Sequence, residues 1–116
     1  MIDEKATELG RLIGQSTEYQ ALRRAEGGLR ENPEAQQRLE TISRLTRDFD
    51  QLMAEGRAPE EAQAQEYEST LRDFEASVVG QAYLVARANV DKLMQRVNQA
   101  IGQGIERGAT SGIITL

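Results

Sequence analysis

Apolar side chains recur at helical spacing along nearly the whole of this chain. Ile2, Ala6, Leu9 and Ile13 share one face of a helix expected over 2–15. Asp3, Glu4 and Glu8 occupy its first half, which suits the positive end of the helix dipole. Gly14 and Ser16 mark a break, and Ser16 is a good N-cap for a second helix over 17–31. There Tyr19, Leu22, Ala25 or Glu26, and Leu29 supply the stripe. Gly27 and Gly28 either weaken that helix, by about 1 kcal/mol each against Ala, or let another backbone come close. Asn32 followed by Pro33 is the clearest helix start, a capping side chain and then a residue whose missing N–H does no harm in the first turn. Ala35, Leu39, Ile42, Leu45, Phe49 and Leu52 run down this third helix until Gly56. Pro59 is expected to open a fourth as another first-turn proline, with Ala64, Tyr67, Leu71, Phe74 and Val78 on its apolar side.

After Val78 the register slips. The same spacing continued would put Ala82 and Val85 inside, yet the stripe that follows is Val79, Tyr83, Ala86, Val90 and Leu93. One skipped residue turns an apolar face by about 100°. Gly80 lies at the slip, so a kink or break is expected at 78–80, with the last helix running to about 106. Past Arg107 the chain reads GATSGIITL. The expected organisation is a single helical domain over 1–107 and a flexible tail over 108–116. The fold class is all-α: a small helical bundle with a long C-terminal helix, kinked or broken near 78–80. No alternating strand pattern and no internal repeat competes with that reading.

Length changes the picture at the C-terminal helix. From Val79 to Ile105 it spans about 40 Å, against about 20 Å for each of the first two helices. Those helices cover only part of it. Either the whole stripe is intramolecular core, or its far half, Leu93, Val97, Ile101 and Ile105, packs on a second chain. The small residues Ala100, Gly102 and Gly104 admit a close helix and favour the second reading. A homodimer or higher homo-oligomer is expected, with those four residues as the oligomer interface.

Composition excludes more than it proposes. The chain is 116 residues with 39% apolar and 28% charged side chains and a formal charge of -5. That balance argues against general affinity for DNA, RNA or anionic membrane, which rests on clustered basic residues. There is no Cys and no His, which removes disulfides, thiolate or imidazole zinc sites, the Glu-x-x-His di-iron motif and His-dependent nucleophiles. Glu60, Glu61, Glu66 and Glu68 are spread around their helix and read as solvated charge. The same holds for Arg23, Arg24 and Arg30, and for Arg38, Arg44 and Arg47, each group interleaved with acids. Glycines at 102, 104, 108 and 112 follow no strand and precede no Gly-Lys-Ser/Thr, so they do not form a phosphate loop. No catalytic, cofactor-binding or metal site is expected. MIDEKATELG lacks the basic and then apolar order of a signal peptide, and no apolar run reaches the roughly 20 residues of a membrane span. A cytoplasmic location without membrane insertion is the expectation.

The order of these elements resembles the YlbF/YmcA family of small helical bacterial proteins. The similarity is carried by Ala6–Gly10 (ATELG), Ile13, the Ser-x-Glu-Tyr step at Ser16–Tyr19, Leu22, Ala25, the turn Asn32-Pro33-Glu34-Ala35 and Leu39. Val79, Ala82, Tyr83, Leu84, Ala86 and Leu93 resemble the family's last helix, so the likeness spans roughly 3–105. It implies an all-α fold, self-association through long helices and no enzymatic activity. Some members act in Gram-positive bacteria within a protein complex that affects RNA processing by a membrane-bound endoribonuclease, and so influence competence, sporulation and biofilm formation. Some of those carry cysteines linked to iron–sulfur clusters; this chain has none, and that cofactor is not carried over. The expected function is a non-enzymatic regulatory or adaptor protein with protein partners in a regulatory complex. An RNA-binding accessory protein is the alternative; no stacking array supports it, since Tyr19, Phe49, Tyr67, Phe74 and Tyr83 all fall on apolar stripes.

Overall fold

A computed structural model of the chain describes residues 1–114, with side chains to residue 110. Its helices are α1 Ile2–Gln15, α2 Thr17–Arg30, α3 Pro33–Ala54, α4 Glu61–Ala76 and α5 Val78–Ile114. Among the described residues there is no strand, and the chain is all-α. Asn32 caps α3 as its sequence demands, its Oδ1 accepting from the Ala35 N–H at 3.1 Å. The other end of α3 is closed by Gly56 at φ +70. There the Arg57 N–H donates to the Leu52 carbonyl at 2.8 Å and the Gly56 N–H to that of Met53 at 3.0 Å. This pair of bonds satisfies carbonyls that the helix itself leaves without partners.

Two other ends are single-serine joints of the same design. At Ser16 the backbone turns extended (φ -64, ψ 152), and at Ser77 it does so again (φ -79, ψ 145). Each hydroxyl donates backward, to the carbonyl of Ile13 at 2.6 Å or of Phe74 at 2.8 Å. Each also accepts forward, from the N–H of Tyr19 at 3.1 Å or of Gly80 at 3.0 Å. One side chain thus ends one helix and starts the next. Ser77→Ala is expected to cost about 1 kcal/mol of stability, the usual loss for an N-cap. Urea titration at fixed protein concentration checks it; no shift in midpoint would mean that water replaces the hydroxyl without loss.

The core forms where α2, α3, α4 and α5 meet. Leu29, Ala35 and Phe74 are its buried centre, with Leu39, Ile42, Val79, Tyr83 and Leu84 packed around them. The Phe74 and Tyr83 rings meet edge to face at 6.3 Å across the α4–α5 joint, and Phe49 and Tyr67 do so at 5.5 Å between α3 and α4. α2 lies along α5, and a Cβ added at Gly28 would meet the Val79 side chain at 3.9 Å. Both Gly27 and Gly28 stay within α2.

The break expected near 78–80 is present; its joint is Ser77, because the capping serine sets it whereas the apolar slip shows only downstream. Three other expectations shift. Val78 is 84% exposed and does not belong to the α4 stripe; Ala82 and Val85 are exposed as well, which is the register change seen in the apolar pattern. Pro59 lies ahead of α4, not in its first turn: Glu60 is extended and is the N-cap, its N–H donating to the Gln63 side chain at 3.4 Å. Helix α5 continues past 106 to Ile114, with no proline to stop it. Of the expected tail over 108–116, residues 115–116 and the side chains of 111–116 lie outside the described residues.

The result is an elongated body of 62 × 38 × 19 Å with a radius of gyration of 19.7 Å. A compact chain of this length would have a radius of about 13 Å. α5 is 37 residues long, and α1 has no fully buried residue.

Candidate functional site

The stretch of α5 that α2 covers ends near Arg96. There the Arg96 guanidinium reaches the Glu18 carboxylate at 3.3 Å, at the start of α2. The Glu18 carboxyl is held below its ordinary value, first by its own backbone N–H, then by the Thr17 hydroxyl, with Arg96 adding to both. Leu93 and Val97 are accordingly half-buried. Beyond them Ile101 is 46% and Ile105 67% exposed. The four residues do form one continuous stripe, and the chain covers only its first half.

Across from the bare half stands α1. Ile2 is 84% exposed, Ala6 is exposed and Leu9 half-buried. Together with Ile101, Gly104 and Ile105 they line an open apolar groove of about 750 Å³. Lys5 sits at its edge. Nothing lies within 4 Å of where a Gly104 side chain would begin. The α1 wall was not foreseen as part of the site. Its signal was present in the amphipathic pattern of a helix with no assigned neighbour.

A second apolar hollow, of about 630 Å³, runs between α2 and the start of α5, with Ala25, Gly28, Val79 and Val85 in its lining. The register slip creates it, by leaving Val78 and Val85 outside. Elsewhere the charged residues behave as surface. Arg38 pairs with Glu34 at 2.9 Å and Arg44 with Glu66 at 3.5 Å, while Arg11 pairs with Glu8. Exposed pairs of this kind contribute about 0–1 kcal/mol. Among the described residues no group of acidic side chains is placed to hold a metal ion. No helix among them is long and apolar enough to cross a membrane.

The groove is apolar on both walls, with Lys5 as the one charged side chain among the described residues that line it. Compared with known proteins, residues 2–106 match the sequence model of a family described as "Control of competence regulator ComK, YlbF/YmcA". No curated protein matches the chain.

Proposed function

The chain belongs to the YlbF/YmcA family, and from that premise we propose that it is a non-enzymatic regulatory protein acting through helix-mediated association, first with a second copy of itself. The family's description, control of the competence regulator ComK, supports a regulatory role and protein partners. The observation that carries the self-association is the α5 stripe, half-covered at Leu93 and Val97 and bare at Ile101 and Ile105. Burying a side chain of this kind contributes roughly 1.5–3 kcal/mol. Two symmetric copies meeting through it would form an isologous contact in which each stripe finds its own counterpart. The absence of His and Cys, with the carboxylates dispersed, agrees with a role that involves no catalysis.

Val97→Asp tests the reading. It would place two unpaired charges in the contact, where each loses hydration without gaining a partner. The variant is expected to run at half the wild-type mass in size exclusion with light scattering, and to keep the helical circular dichroism of the α2–α4 core. An unchanged oligomer would place the interface elsewhere.

A further inference from the structure

The groove between α1 and the far half of α5 has two apolar walls, and among the described residues no floor or lid from its own chain. We infer that it is a clasp that seats the far half of α5 from a second copy, each copy filling the other's groove, so that α1 and α5 of two chains make one four-helix bundle. This rests on the self-association proposed above and names its geometry.

Three observations lead to it. First, α1 is a 14-residue helix with no fully buried residue, half-buried only at Leu9, Ile13 and Gly14. A helix of about 12–15 residues is marginal in water unless an apolar face is packed. Its apolar face, Ile2, Ala6 and Leu9, is turned to the groove. Second, the opposite wall is the one part of the α5 stripe that α2 leaves bare, Ile101 and Ile105. A single added helix covers both walls at once, and α5 of a second copy is long, apolar along this stretch and small at Gly104. Third, the chain as a whole carries surface to spare for an interface. The chain exposes 8900 Å² at 12.9 kDa. A compact monomer of that mass exposes about 6300 Å², and a stable interface takes about 800 Å² per partner.

The clasp differs from a simple meeting of two α5 stripes in giving α1 a structural part, and that difference is measurable. In Ile2→Asp the altered residue lies outside the α5 stripe and is 84% exposed, so the folding of each chain is not at stake. The dissociation constant of the dimer is expected to rise roughly a hundredfold or more, since both copies lose a buried side chain. Hydrogen exchange supplies the second readout. The α1 amides should be protected in the wild-type dimer and lose that protection in the Val97→Asp monomer, while α3 and α4 keep theirs. A wild-type dimer that Val97→Asp splits but Ile2→Asp leaves intact would overturn the clasp and keep the self-association. Equal α1 exchange in dimer and monomer would overturn it likewise. A wild-type chain that is monomeric would end both.

Discussion

Phe74→Ala is expected to remove about 3–5 kcal/mol of stability, the largest loss from any single side chain of this fold. Phe74 is fully buried, at 0% exposure, in a cluster to which α2, α3, α4 and α5 all contribute. It lies in the last turn of α4, clusters with Leu29 and Ala35, and presents its ring to Tyr83 across the joint. Truncation loses the transfer of the ring out of water, the aromatic contact, and the packing around the space left behind. A domain of this size has roughly 5–15 kcal/mol in total. The urea midpoint should fall by about 1–3 M at fixed protein concentration. A fall well below this would mean that the α2–α5 neighbours close over the site, and that the junction is softer than its burial indicates.

Gly80→Ala is expected to destabilise by about 1–3 kcal/mol, against the roughly 1 kcal/mol that Ala ordinarily adds to a helix interior. A methyl on Gly80 would lie 2.7 Å from the Ser77 Oγ and 2.8 Å from the Phe74 carbonyl carbon, and closer still to the Phe74 oxygen. Most of those atoms are backbone, so the angle between α4 and α5 has to open, which pulls Tyr83 away from Phe74. Gly108→Ala, past the proposed interface residues, is the control. It sits in the same helix with nothing within 4 Å, and is expected to be neutral or slightly stabilising. Thermal melts of the two variants side by side check the pair. Equal stability would show that the Ser77 joint yields without loss.

What could be read from residues alone follows from how local each cause is. The start of α3 was legible to the residue, because Asn32 and Pro33 carry the cap and the first turn between them. Gly56 likewise marks its stop, since the left-handed turn there needs glycine. The α4–α5 break was legible only approximately. Its apolar signal is a slip that becomes visible from Val79 onward, whereas its cause is the hydroxyl of Ser77. The repetition of the Ser16 design at Ser77 is the clue that would have placed it. Pro59 misled because proline suits the position before an extended N-cap as well as the first turn. The bare half of α5 was legible from length alone. That α1 faces it was not, because the swing of α1 is set by the backbone of Ser16, and no periodicity encodes that angle.

The mass of the wild-type chain in solution tests most directly whether the far α5 stripe closes against a second copy. Sedimentation equilibrium over a dilution series from the micromolar range should give twice the 12.9 kDa of one chain, or a higher multiple, falling toward the single mass only on strong dilution. A constant 12.9 kDa at micromolar concentration would contradict it, and would leave Ile101 and Ile105 exposed in a protein that works as a monomer.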